Sequence, residues 1–283
     1  INYNATKNYS KAMPELPEVE TTVTGIRPHI GGQKITNVII RNASLRWPIP
    51  LELPEILIGQ SVLSVSRRAK YILIQFNHGT LLIHLGMSGN LRFVNKDLEV
   101  AKHDHVDFVF NNTDCLRFHD PRRFGAILWT SETIEQHKLL RHLGPEPLQD
   151  SFNIDYLYQR SRKRSISIKQ FIMDSKVVVG VGNIYASESL FLAGIHPKRA
   201  AGRISKARYQ NLCSSIKEVL LNAIKQGGTT LKDFSNVDGK PGYFKQELNV
   251  YGRTNESCNK CSHSIKHITQ NNRSSYYCSH CQK

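Results

Sequence analysis

The sequence predicts an α+β protein: an N-terminal antiparallel β-sandwich introduced by one helix, then a helical domain, then a small ribbon built on four cysteines. Three observations carry this expectation. Val19, Val23, Ile26 and Ile30 recur at helical spacing. Residues 32–129 break into short alternating or apolar runs separated by turn residues, and four of the six cysteines fall as Cys258-x2-Cys261-x16-Cys278-x2-Cys281. Periods of 3.6 and 2 distinguish helix from strand, and paired thiols on tight knuckles have the spacing of a zinc ribbon.

The helix occupies residues 14–30. Pro14 and Pro17 stand at its opening, where a missing N–H costs little, and Glu15, Glu18 and Glu20 stand where the helix dipole favours negative charge. Strands are expected at 35–40, 60–66, 71–76, 80–85, 90–94, 105–110 and 115–119, with turns at Asn77-His78-Gly79 and Asn111-Asn112-Thr113-Asp114. The proline-marked stretch Leu143-Gly144-Pro145-Glu146-Pro147-Leu148 closes a β domain over residues 13–145. Helices follow at 154–162, 166–174, 183–193 and 206–225. The last carries a stripe of Leu212, Ile216, Leu220, Ala223 and Ile224, and is stopped by Gly227-Gly228. This gives a helical domain over 152–247 and a ribbon over 248–283. Residues 1–12 are polar, with no apolar run and no arginine-rich amphipathic pattern. They are read as a leader ahead of Met13 and outside the mature protein, neither a secretory signal nor a transit peptide.

Composition narrows the partners. Thirty-eight Lys and Arg against 23 Asp and Glu give a formal charge of +15, which favours a polyanion such as nucleic acid over a small neutral substrate. No stretch reaches the roughly eighteen apolar residues of a membrane span, so a soluble cytoplasmic protein without a membrane partner is expected. The cysteine pairs are read as zinc ligands rather than disulfides, leaving Cys115 and Cys213 as small buried hydrophobes. Four cysteine ligands leave no position for an activated water, so one structural Zn2+ is expected and the chemistry must lie elsewhere. On the ribbon, Lys260, Lys266, Arg273, Tyr276 and Tyr277 make a basic and aromatic surface suited to DNA.

Where synthesis starts at Met13 and that residue is trimmed, Pro14 becomes a secondary amine able to attack an aldehyde carbon, with the Glu15 carboxyl beside it. Periodicity alone accounts for both residues as an ordinary capped helix. The stretch Gly180-Val181-Gly182-Asn183 reads as a glycine approach to an N-cap at Asn183, an ordinary turn tilted towards phosphate binding by Lys169 and by His196-Pro197-Lys198-Arg199. Two loops, His84-Leu85-Gly86-Met87-Ser88-Gly89 and Asp120-Pro121-Arg122-Arg123-Phe124-Gly125, offer tip residues able to fill the hole left by an extruded nucleotide. By themselves Met87 and Phe124 read as core. Arg67-Arg68-Ala69-Lys70 reads as solvated edge charge, or as a phosphate grip with Lys70 acting on a phosphate or a proton.

Taken together and in this order, these motifs, with Gly227-Gly228-Thr229-Thr230-Leu231 and the closing ribbon, resemble the bacterial formamidopyrimidine-DNA glycosylases from Met13 to Lys283. The resemblance implies that the helical domain is a helix-two-turn-helix unit and that double-stranded DNA with oxidised bases or abasic sites lies in the cleft between domains. It further implies a monomer that excises oxidised purines and then cuts the abasic strand by β and δ elimination. Residue by residue, it implies Pro14 as nucleophile at C1′, Glu15 as the acid that protonates the opening sugar, Lys70 in base recognition and β elimination, and Arg273 as proton donor in δ elimination. His84, Met87, His103, Arg122, Phe124, Arg164 and Asn183 match DNA-contacting positions. Met87, Arg122 and Phe124 would fill the void, and residues 229–246 match a loop that closes over the flipped base. Two alternatives stand beside this: an endonuclease VIII-like enzyme for oxidised pyrimidines, less well matched by Leu16 and the Asp120–Gly125 loop, and a catalytically silent damage-binding protein should the leader be retained.

Overall fold

The computed structural model describes residues 13–111, 113–227 and 248–283. The expectations for the leader and for the loop at 229–246 fall outside these residues. Helix α1 (Leu16–Ile30) turns Val19, Val23, Ile26 and Ile30 inward, as the spacing predicts. It packs with two antiparallel four-stranded sheets, so that both sheets and the helix share one apolar core. One sheet has the order β1-β6-β7-β5, from β1 (Ile35–Ile40), β6 (Asp104–Phe110), β7 (Asp114–His119) and β5 (Asn90–Asn95). The other has the order β2-β3-β4-β8, from β2 (Ser64–Arg68), β3 (Tyr71–Phe76), β4 (Gly79–His84) and β8 (Ala126–Thr130).

Three differences from the sequence reading concern local pairing. The strand expected at 60–66 is ladder-paired only from Ser64, because Val62 donates instead to the Gln33 carbonyl and Ser61 bridges Lys34 ahead of β1. A short helix α2 (Leu53–Leu57) and the strand β8 were not among the expected elements. β8 matters most: Ala126 pairs with His84, which brings the loop before β8 alongside the loop after β4.

The helical unit comprises α3 (Ile154–Ser161), α4 (Ile168–Met173), α5 (Asn183–Leu192) and α6 (Lys206–Lys225) around its own core. Ser167 and Ser205 cap α4 and α6 through their hydroxyls, and Asn153 caps α3. The C-terminal hairpin of β9 (Ile265–Gln270) and β10 (Arg273–Cys278) turns through Asn271 and Asn272, both left-handed (φ 47° and 58°), the conformation that asparagine tolerates best after glycine. Tyr276 packs against Tyr251 and Tyr277 against His196, and both rings are half-buried. Among the described residues, no helix is long and apolar enough to cross a membrane.

Candidate active site and DNA-facing surface

The glycines before α5 are explained by a carboxylate. Gly182, not Asn183, is the N-cap of α5, and it offers no side chain to cap with. The cap comes from the far end of the fold: Glu15 accepts hydrogen bonds from the N–H groups of Gly182 (2.8 Å), Ile184 (2.9 Å) and Tyr185 (3.4 Å). The positive end of the helix therefore holds a side-chain anion, which corrects the expectation of a phosphate there. A Cβ on Gly182 would lie 2.3 Å from the Glu15 carboxyl carbon, and Gly180 (φ +79°) is pressed against Leu16 in the same way. Leu16 N–H donates to the Gly180 carbonyl, so the opening of α1 is stitched to the entry of α5.

Pro14 and Glu15 are buried at this seam, Glu15 being 2% exposed. Glu18, which the sequence offered only as a helix-dipole charge, accepts from the Glu15 N–H and from the Tyr185 hydroxyl (2.6 Å). Burial raises the Glu15 pKa above its ordinary value, and Glu18 adds to this, while Lys70 and the α5 N–H groups oppose it. For Lys70 burial acts downward, helped by Arg273, while Glu15 and Glu18 pull upward; the net shift is down. Hydrogen bonds join the same elements: Arg67, at the end of β2, reaches Glu20 on α1, and Lys169 links Asn183, beside the amides that hold Glu15, to Ser274 on the ribbon. An acid whose pKa is raised beside an amine whose pKa is lowered is an arrangement suited to proton transfer.

Arg67 and Arg68 are not free edge charges but are held in ion pairs. Both donate to Glu146, at 2.7 and 2.8 Å, and Arg67 also pairs with Glu20 at 2.7 Å. Lys169 is a second residue whose importance the sequence understated. It is 2% exposed and donates to Asn183 Oδ1 (2.6 Å), the Ser274 carbonyl (2.8 Å) and Ser275 Oγ (2.8 Å), tying α4 and α5 to the ribbon. Burial, with Arg273 assisting and Glu15 opposing, brings its pKa down to about 7. A groove of about 350 Å3 opens between α4 and the ribbon tip, lined in part by Lys169, Gln270 and the exposed Arg273.

The two loops of the β domain form one tip. Asp120, fully buried, accepts from Ser88 Oγ (2.6 Å) and from the Gly125 N–H (2.8 Å), linking both loops through one carboxylate. A Cβ on Gly86 (φ +64°) would meet Gly125 N and Phe124 C at 2.4 Å, so the loops touch backbone to backbone. Phe124 is 46% exposed with the Arg122 guanidinium 5.1 Å over its ring, and Met87 is half-buried. Neither is a core residue. His84 stands at the root, its Nδ1 accepting from the Gly86 N–H (2.9 Å) and its ring edge-on to Tyr71. Burial, then Lys70 and Arg46, push its pKa down to about 4. His103 sits 5.9 Å from His119, ring to ring, and Arg164 is exposed beside the turn at Gly202, whose N–H bonds the Arg164 carbonyl.

The four cysteine sulfurs lie within 4.8 Å of one another, with Cys258 to Cys281 at 3.9 Å and Cys261 to Cys278 at 3.5 Å. Tetrahedral zinc with sulfur at about 2.3 Å requires sulfurs roughly 3.8 Å apart, so these residues fit one structural Zn2+.

Three family models match in sequence order: the formamidopyrimidine-DNA glycosylase N-terminal domain over residues 13–127, the formamidopyrimidine-DNA glycosylase H2TH domain over 143–235, and the zinc finger found in FPG and IleRS over 255–283. The formamidopyrimidine-DNA glycosylases of Saccharophagus degradans and Cellvibrio japonicus are 56% and 58% identical to this chain over 271 residues, covering 96% of it and all of each relative. Among solved structures, Lactococcus lactis Fpg bound to DNA containing N7-benzyl-Fapy-dG superposes with a TM-score of 0.87 at 32% identity, covering 95% of this chain and all of that one. The Thermus thermophilus protein superposes at 0.85 with 33% identity, over 95% and 98% of the two chains. A sandwich, a helix-two-turn-helix unit and a zinc ribbon meeting at a buried acid and an amine are the parts of a DNA-repair glycosylase. The chain belongs to the formamidopyrimidine-DNA glycosylase family.

Proposed function

We propose that this protein excises oxidised purines, 8-oxoguanine and formamidopyrimidines, from duplex DNA and then cleaves the abasic strand by successive β and δ elimination. The observation that carries the reading is the burial of Glu15, the residue after Pro14, in the amide nest at the start of α5, with Lys70 coupled to it electrostatically. The solved L. lactis relatives, which hold Fapy-dG or abasic-site DNA, support the substrate class. In the chain as given, Met13 precedes Pro14 and the Pro14 nitrogen is an amide. The reactive form begins at Pro14, a reading supported by the family match that starts at residue 13.

The free Pro14 nitrogen attacks C1′ of the damaged nucleotide and the bond from C1′ to the base breaks, the base leaving with the proton given up by the Pro14 nitrogen; the sugar ring then opens as its oxygen takes a proton from Glu15. The product is an iminium joining protein and DNA. Loss of a proton from C2′ then expels the 3′ phosphate, and loss of a proton from C4′ in a second elimination releases the 5′ phosphate. Lys70 serves base recognition and the first elimination, and Arg273 supplies the proton in the second. An α-amine has an ordinary pKa of about 7.7 to 8.0, so a useful fraction is unprotonated near neutrality. Met87, Arg122 and Phe124 occupy the space left by the extruded nucleotide, with Arg122 towards the orphaned cytosine, while His84, His103, Arg164 and Asn183 hold the DNA. The enzyme acts as a cytoplasmic monomer.

Borohydride, which reduces the iminium to a stable amine, tests the reading on an 8-oxoguanine duplex. Protein starting at Pro14 is expected to form a covalent adduct and protein retaining residues 1–13 to form none. Failure of the Pro14-initiated protein to trap would refute the mechanism, and stronger trapping on a thymine glycol duplex would move the substrate to oxidised pyrimidines.

A further inference from the structure

One carboxylate at the junction of the β and helical units grips three consecutive residues immediately before Lys70. Glu146 Oε2 accepts from Arg67 Nη1 (2.7 Å), while its Oε1 accepts from Arg68 Nη1 (2.8 Å) and from the Ala69 N–H (2.8 Å). Arg68 continues past it to the Gly144 carbonyl (2.7 Å), so the hairpin is bound to both side chain and backbone of the 143–147 stretch. Arg67 reaches Glu20 on α1, the helix that opens with Glu15. The turn itself needs this support: Ala69 has φ +55°, a left-handed conformation that L side chains disfavour, and Arg68 pairs directly with Tyr71, leaving only Ala69 and Lys70 to make the reversal. Glu146 is 7% exposed and Arg67 is also largely shielded, so water is a poor substitute for either partner.

We propose that Glu146 is a positioning residue for Lys70: by holding the β2–β3 turn against α1, the segment between the two large domains sets where the Lys70 ammonium stands relative to Glu15. The inference rests on the role given to Lys70 above. It predicts a defect in the chemical step that depends on Lys70, rather than a general loss of fold or of DNA affinity. Glu146→Gln keeps the shape but replaces one accepting oxygen with an N–H2 that faces arginine donors.

The test is a double-mutant cycle on Pro14-initiated protein, using single-turnover strand cleavage at saturating abasic-site duplex, with DNA affinity and zinc content measured alongside. Glu146→Gln is expected to slow cleavage at least tenfold, to leave the DNA dissociation constant within threefold and zinc at one per chain, and to add nothing to Lys70→Ala in the double variant. Arg68→Gln, which removes the more exposed arm, should show the same non-additivity at smaller amplitude and serves should Glu146→Gln not fold. Multiplicative losses in the double variants, or a wild-type rate in Glu146→Gln, would overturn the proposal. A wild-type rate in Lys70→Ala would instead overturn the role of Lys70, and this inference with it.

Discussion

Replacing Gly182 by alanine isolates the contact on which the site is built. The added methyl would lie 2.3 Å from Glu15 Cδ and 2.4 Å from Oε1, well inside any real contact, and Glu15 is too buried to swing into water. The backbone raises no objection, because Gly182 sits at φ −106° and ψ −154°, an extended conformation open to alanine. The effect must therefore come from displacing the carboxylate. Two short hydrogen bonds to a charged acceptor, those from Gly182 and Ile184, are lost or bent. At about 1.5 to 3 kcal/mol for each such bond, and with partial relaxation, a destabilisation of about 2 to 4 kcal/mol is expected. A displacement near 1 Å at a proton donor costs on the order of a hundredfold in rate. Urea unfolding followed by tryptophan fluorescence reads the first number, and single-turnover excision of 8-oxoguanine by Pro14-initiated protein reads the second. A variant with unchanged midpoint and wild-type excision would show that the Glu15 nest is not needed, and the account of the glycines would be wrong.

Three further outcomes follow from other parts of the molecule. His84 is neutral at pH 7 because its pKa is pushed down to about 4 from 6.5, and its Nδ1 must stay unprotonated to accept from Gly86. The unfolded chain then binds the extra proton first, so stability present above pH 6.5 is lost as pH falls towards 4, by at most about 3 kcal/mol. His84→Asn should flatten that part of the stability profile, and an unchanged slope would contradict the assignment. Phe124→Ala, at an exposed tip, is expected to alter stability by no more than about 0.5 kcal/mol while lowering excision on lesion duplex, and a large loss of stability would return Phe124 to the core. Removing zinc with a chelator should abolish tight DNA binding while circular dichroism retains the β signal, because the ribbon core is separate from the sandwich core. Unchanged DNA affinity after chelation would exclude the ribbon from the grip.

Much of the fold was legible because its signals are short in range. The α1 stripe, the hairpin turn ahead of Gly79 and the thiol pairs at 258–261 and 278–281 each lie within a few residues, where periodicity and spacing act directly. Strand β8 escaped because five residues after an arginine-rich loop carry little alternation, yet its pairing with β4 is what joins the Met87 and Phe124 loops. The opening Pro14-Glu15 pair was visible as chemistry, but not as a site, since the same residues make an ordinary helix start.

What the tertiary structure alone decided is which charge meets which. Gly180 and Gly182 look in sequence like a place for phosphate, but they receive Leu16 and Glu15, the latter from 167 positions away. Arg67 and Arg68 look solvated in sequence but pair with Glu146, and Arg67 also with Glu20, while Lys169 crosses to Ser275 in the ribbon. The physical reason is the same in each case. Propensity and hydrophobic pattern specify an element from its neighbours in sequence, whereas a buried ion is stable only beside a partner that packing of remote elements delivers.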